Sequence, residues 1–270
     1  MTLLQLFILA IAQGITEFLP ISSSAHLVLL HELGGQTPAA DALALDVAVH
    51  IGSVVAVVIY LWPEVRRALS GLGHLASGQR NSPEAGLAFG LIIATIPAVI
   101  LGAVLAFTGW IDLLRSTIII GWTMIIFGVL LWVAHRYSPE TREEREWSTR
   151  DAVIMGLWQA VALIPGVSRS GITMTSARFL GFERHAAARV AILMSIPVTL
   201  ATGAVLMLQI TRSPMNEGLL LNATIAAAIS FVAAYLALTF MMKLLNRVSF
   251  TPYVIYRIVL GVVLLALAYS

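Results

Sequence analysis

QGITEFLPISSSAH, residues Gln13 to His26, interrupts an otherwise apolar chain, and PGVSRSGIT, Pro165 to Thr173, interrupts it again. Each stretch sets small hydroxyl residues just after a proline, at the point where an apolar segment breaks. The first adds Gln13, Glu17 and His26, and the second adds Arg169. The 270 residues are 59% hydrophobic and 11% charged, with a mean hydropathy of +0.92. A soluble domain averages about 25% charged residues. The chain is therefore expected to be an all-α polytopic membrane protein. Polar residues at the two breaks must find partners or a ligand, and the expected arrangement is that both stretches meet around a phosphate.

Outward from the breaks, residues 2–18 and 21–33 are two apolar arms, each short of the roughly 20 residues that a crossing needs. They read as a hairpin that enters and leaves on one side. Spans follow at about 43–62, 85–107 and 117–134, the first carrying Asp46 and His50 four apart on one helix face. Residues 135–150 form a hydrophilic loop of mixed charge. The pattern then repeats, with arms at 151–163 and 168–180 split at Pro165-Gly166, and spans at 186–208, 219–242 and 253–269. PISSS from Pro20 is echoed by PGVSRS from Pro165, and Gln13 by Gln159. The expectation is one membrane domain over residues 1–270, with repeat 1 at about 1–135 and repeat 2 at about 151–270. Each half is one re-entrant hairpin plus three transmembrane helices. The odd number of crossings inverts the second half relative to the first, as in folds whose broken helices meet near the bilayer midplane.

Charge orients this topology. Loops 63–84, 135–150, 178–189 and 243–257 fall on one face and hold thirteen of the sixteen Lys and Arg, Arg257 among them. The opposite face has Arg115 and Arg212, and Arg169 lies in the second break. The rich face is expected to be cytoplasmic, so the mouth of the first hairpin faces outward. The net charge of +2 is spread over loops and does not indicate nucleic-acid binding. Without cysteine, disulfides, Cys-ligated metals and thiol nucleophiles are excluded. The N-terminus lacks a basic n-region, its first Lys or Arg being Arg66, and is not read as a signal peptide.

Helix starts expose unpaired N–H groups and a partial positive charge, which is where anions bind. The second arms begin with Ser22-Ser23-Ser24 and with Ser168-Arg169-Ser170, so two such starts facing each other with Arg169 between them would cradle a phosphate. Arginine suits the role because its planar fork bonds two oxygens together. Glu17, one turn after Gln13, is a general base or a metal ligand. His26 is placed to relay a proton or to contact a phosphoryl oxygen. Plainer uses compete with these. The serines are good N-caps, Glu17 and Arg169 can form a structural ion pair, and Asp46 and His50 are either a local polar contact or support for the site residues from behind. His31, His74 and His185 fall near helix ends or loops and read as surface residues.

At these residues the sequence resembles the undecaprenyl-diphosphate phosphatases, the bacitracin-resistance phosphatases of bacterial membranes. The resemblance rests on Gln13 to Glu17, Pro20 to His26 and Pro165 to Thr173, and covers nearly the whole chain. It implies removal of the terminal phosphate of undecaprenyl diphosphate at the outer, periplasmic face of the plasma (inner) membrane. It further implies a divalent cation, Mg or Ca, with Glu17 as its ligand or as the activator of Ser23. Ser23 becomes the candidate nucleophile, His26 an accessory catalytic residue and Arg169 the phosphate clamp. Gln13, Ser22, Ser24, Ser168, Ser170 and Thr173 become candidate substrate contacts. Gln13 stands where many members have glutamate, which leaves one fewer anionic ligand for the cation. The expected partners are the polyprenyl diphosphate lipid and bilayer lipid, with a homodimer allowed and nucleic acid not. The rival reading is a transporter or flippase of a polyprenyl phosphate lipid, because inverted repeats with broken helices are common in carriers.

Overall fold

The computed structural model of the protein describes residues 3–33, 39–110, 114, 116–210 and 217–269. Among these residues the chain forms eleven α-helices, one 3-10 turn at Glu144–Glu146, and a single bridge between Arg142 and Phe182. In order they are α1 Leu3–Thr16, α2 Ser23–Leu33, α3 Ala39–Tyr60, α4 Trp62–Ala76, α5 Pro83–Thr108 and α6 Thr117–Tyr137. After the polar loop come α7 Thr149–Val161, α8 Arg169–Phe179, α9 Arg184–Ile210, α10 Glu217–Leu245 and α11 Thr251–Tyr269.

Six of these, α3, α5, α6, α9, α10 and α11, are long and apolar enough to cross a bilayer. Each predicted span falls on one of them. The protein is thus a multi-pass membrane protein, and its exterior agrees: Ile100, Phe107, Leu236 and Val259 stand exposed on the helix flanks. The interior is built around α9, whose Ala187, Ala188, Ala191, Ile192 and Met194 are fully buried.

The four remaining arms are short: α1 has 14 residues, α7 13, and α2 and α8 11 each. At 1.5 Å per residue they cover roughly 16 to 21 Å, less than the ~30 Å of hydrocarbon. Both pairs break where the sequence carries proline and serine. Ser22 has φ 74° and Ser168 φ 68°, the two non-glycine residues with positive φ among those described. Such a conformation costs on the order of 1–3 kcal/mol per residue and is held only where the surroundings enforce it.

Two expectations are corrected. Residues 63–84 were expected to be a loop, but α4 fills most of the stretch. Pro63 sits in its first turn, and Val65, Ala68, Leu69 and Leu72 recur at helical spacing and line a groove with α5 and α9, while Arg66 and Arg67 stay exposed. Charge made the segment look like loop, whereas the 3.6-residue period decides its structure. Arg257 was counted with the loop charges, but it lies inside α11 and is fully buried. Arg115 and Arg212 lie outside the described residues, as does the side chain of His31.

The polar loop is stapled rather than loose. Arg142 makes a two-pronged pair with Asp151, at 3.0 and 2.7 Å, and also donates to Leu180 O. Arg178 and Arg184 share Glu140, while Arg189 pairs with both Glu64 and Glu144. Burial pushes the Asp151 carboxyl up, but the Arg142 fork and the Ser148 hydrogen bonds outweigh it and hold it below the ordinary carboxylate range. A depressed carboxylate contributes stability above its unfolded pKa and loses it as pH falls through the folded value. Asp151→Asn is therefore expected to lower the melting temperature at neutral pH, with the gap to wild type closing below about pH 4. Thermal unfolding of the detergent-solubilised protein across pH checks this, and a gap independent of pH would contradict it.

Candidate active site

Gln13 and Glu17 are one turn apart at the end of α1, and the break that follows turns Ser23 back over them. Glu17 is buried, and both its carboxylate oxygens are engaged. Oε1 accepts from Arg169 Nη2 at 2.8 Å. Oε2 accepts from Ser23 Oγ at 2.7 Å and from Gln13 Nε2 at 2.7 Å, with His50 Nε2 3.7 Å away. Arg169 opens α8, and its other terminal nitrogen donates to Thr199 Oγ1 on α9. The two breaks, far apart in sequence, therefore meet at one ion pair.

A cavity of about 190 Å³ lies against this pair, lined by Glu17, Ser22, Ser23, Ser24, Ser168 and Arg169, with His50, Leu27 and Ala162 completing the wall. Further bonds tie the breaks together. Ser170 Oγ donates to Leu19 O at 2.9 Å, and Gly166 N donates to Ser24 Oγ at 3.3 Å. Ser168 caps α8, accepting from Gly171 N at 3.2 Å. A hydroxyl hydrogen-bonded to a carboxylate, with a guanidinium on the carboxylate's other oxygen, is an arrangement for activating the hydroxyl against an anionic group.

A family model described as "Bacitracin resistance protein BacA" matches residues 6–263. The chain belongs to that family. It is 54% identical over 270 residues to an undecaprenyl-diphosphatase of Jannaschia sp., covering all of both chains. It is 53% identical over the same length to one of Ruegeria pomeroyi, again covering both chains fully. The likeness to one of Aliivibrio salmonicida is 44% over 269 residues, 98% of each chain.

In this member of the bacitracin-resistance family the candidate residues divide by position. Glu17, Ser22, Ser23, Ser24, Ser168 and Arg169 line the cavity. Gln13 is fully buried and reaches the site through Glu17. Thr173, also fully buried, donates to Arg169 O at 2.7 Å and to Ser170 O at 3.2 Å, and so steadies the first turn of α8. Ser170 is spent on the bridge to Leu19. His26 bonds Ser22 O through Nδ1 at 2.8 Å and Tyr256 Oη through Nε2 at 2.6 Å, beside rather than among the cavity residues.

His50, expected to be either a local polar contact or support behind the site, lines the cavity itself. Its signal was present in the sequence as a histidine in an apolar span, one turn after Asp46. The partner of its Nδ1 is the Asp46 carbonyl, at 2.7 Å.

Gly166 has φ 88°, and a β-carbon there would press on Thr123 Oγ1 and lie 2.7 Å from Ile120 O. Thr123 in turn donates to Pro165 O at 2.7 Å. Gly166→Ala thus meets both strain and collision. We expect it to destabilise the protein by more than about 1 kcal/mol and to lower turnover at least tenfold, read by thermal unfolding and by phosphate release. Unchanged values would show that the second break tolerates a different shape.

Proposed function

We propose that this protein is an integral membrane phosphatase that hydrolyses undecaprenyl diphosphate to undecaprenyl phosphate and inorganic phosphate. The reaction returns the lipid carrier for cell-wall synthesis and underlies bacitracin resistance. The observation that carries this reading is the meeting of Ser23, Glu17 and Arg169 on one cavity. The names of the full-length relatives support the substrate.

The diphosphate head enters the cavity and draws Arg169 onto its terminal phosphate, where the planar fork bonds two oxygens. The first residues of α2 and α8 line the same cavity, and helix starts favour an anion. As Ser23 Oγ forms its bond to the terminal phosphorus, its proton passes to Glu17 Oε2, which already accepts it. The bridging P–O bond breaks, and undecaprenyl phosphate leaves with the electron pair. Water then cleaves the Ser23 phosphoester and releases inorganic phosphate. In-line positioning and charge neutralisation supply most of the catalysis in such transfers. Ser23→Ala is expected to lower turnover by about 10³-fold. Persisting activity would assign the attack to water activated by Glu17, with His26 assisting.

A divalent cation, Mg or Ca, belongs to the same proposal. Among the described residues no three His, Asp or Glu side chains cluster, so protein ligands alone would not cage an ion. The donors present are the Glu17 carboxylate and, one turn earlier, Gln13 Oε1, a buried oxygen with no hydrogen-bond partner. Two hard oxygens suit an ion that keeps its waters and takes further ligands from phosphate. Bound there, it would neutralise charge on the diphosphate.

The architecture proposed is a single membrane domain of two inverted repeats, each with one re-entrant hairpin and three crossings. Matching contacts support it: α1 packs on α10 as α7 packs on α5. The two left-handed serines follow Gln13 and Gln159 at the same spacing, and the carbonyl oxygen of each glutamine is buried without a partner. The excess of Lys and Arg on one set of loops supports a cavity mouth on the outer, periplasmic face of the bacterial plasma membrane. Exposed apolar flanks leave room for a homodimer, to be checked by light scattering in detergent. The overall test is phosphate release from undecaprenyl diphosphate by purified protein in detergent, where transport has no meaning. Release supports the enzyme, and binding without release favours a lipid carrier.

A further inference from the structure

Arg257 is fully buried in α11, and among the described residues no carboxylate pairs with it. Its guanidinium instead donates to three main-chain carbonyls. Nε reaches Met124 O on α6 at 3.2 Å, Nη1 reaches Pro20 O at 3.4 Å, and Nη2 reaches Gly166 O at 3.0 Å. Pro20 belongs to the first break and Gly166 to the second. Each stands two residues before its left-handed serine, Ser22 or Ser168. One side chain therefore grips both breaks at the same register.

The bay around the guanidinium depends on two glycines. A β-carbon on Gly171 of α8 would come within 2.8 Å of Arg257 Nη1, and one on Gly128 of α6 within 3.3 Å of Arg257 Cβ. The preceding residue, Tyr256, bonds His26 on α2, so one turn of α11 touches both hairpins. Carbonyl dipoles solvate a buried guanidinium but do not neutralise it, and a charge held this way favours an anion nearby. Arg257 is not among the cavity-lining residues, so it acts through the breaks.

We infer that Arg257 is a positioning residue for the phosphate site: its fork ties the two helix breaks into one cradle, and its charge favours the anion that Arg169 contacts. The inference rests on the phosphatase reading of that cavity. Shape and charge separate by substitution. Lysine keeps the charge but is a point donor that cannot reproduce a planar fork, whereas glutamine loses both.

The test uses the purified full-length protein in detergent. It compares wild type, Arg257→Lys and Arg257→Gln for kcat and KM on undecaprenyl diphosphate and for inhibition by inorganic phosphate. Both variants are expected to lose about 10²-fold in kcat, the cost of a small misplacement at a reacting centre. Phosphate inhibition should stay near wild type in Arg257→Lys and weaken about tenfold in Arg257→Gln, a change of about 1.4 kcal/mol. A purely structural role would lower the melting temperature and the active fraction while leaving phosphate inhibition equal in the two variants, and that result overturns the inference. So does wild-type kcat in Arg257→Gln.

Should Arg257→Gln fail to fold, Gly128→Ala decides. It lies outside both breaks, and the three nearest atoms to its added carbon all belong to Arg257. It should cut kcat severalfold alone and add nothing to Arg257→Lys; wild-type turnover in Gly128→Ala overturns the inference. Wild-type protein that releases no phosphate would refute the phosphatase reading instead, and the clamp is then judged on inorganic phosphate binding by the same Lys–Gln contrast.

Discussion

Arg169→Ala is expected to lower kcat for phosphate release from undecaprenyl diphosphate by about 10³-fold or more, with the protein still folded. Arginines that meet the transferring phosphoryl group contribute about 10³–10⁵ in rate, and loss of one preorganised donor alone costs about 10²–10³. In the proposed mechanism Arg169 fills both roles. It starts α8, lines the cavity, and is held between Glu17 and Thr199. Arg169→Lys should recover only part of the loss, because an ammonium cannot bond two phosphate oxygens in one plane. A malachite-green assay of released phosphate with circular dichroism as the folding control reads both. Turnover within threefold of wild type in Arg169→Ala would remove this residue from the chemistry.

Glu17→Gln carries the second large effect. The amide keeps the size of the side chain but cannot take the Ser23 proton, so turnover should fall by about 10²–10⁴-fold. Stability should fall as well. Breaking a buried pair by removing one partner costs about 3–5 kcal/mol when the remaining charge is uncompensated, and the Arg169 side chain, at 22% exposure, recovers part of that from the cavity. Inorganic phosphate should then raise the melting temperature of Glu17→Gln more than that of wild type, because the anion gives Arg169 a new countercharge. Equal phosphate shifts in the two proteins would argue against a phosphate site at Arg169.

The two breaks were legible because a membrane chain has few polar residues to distribute. Glu17 and Arg169 are costly inside a bilayer unless they are paired or used, and the repeated proline–serine breaks that carry them gave the expectation that they meet. Span positions followed from hydropathy for the same reason. Helix α4 was missed because Arg66 and Arg67 dominate its composition, while its apolar stripe is only a few residues long. Arg257 was misread because a basic residue near a span end usually snorkels to the interface, and nothing local distinguishes it from Arg247. Its three carbonyl partners lie on segments distant in sequence, which a pattern of neighbours cannot reveal. His50 was underweighted in the same way, since its closeness to Glu17 arises only when α3 packs beside the first break.

The convergence of both breaks on one phosphate is tested most directly by a double-mutant cycle on Glu17→Gln and Arg169→Ala, measured as kcat for phosphate release in detergent. Groups that act on one reacting centre are strongly non-additive. The expected result is that the double variant is no slower than the slower single variant, within about threefold. Losses that multiply, as they would for two sites working independently, would contradict a shared cradle.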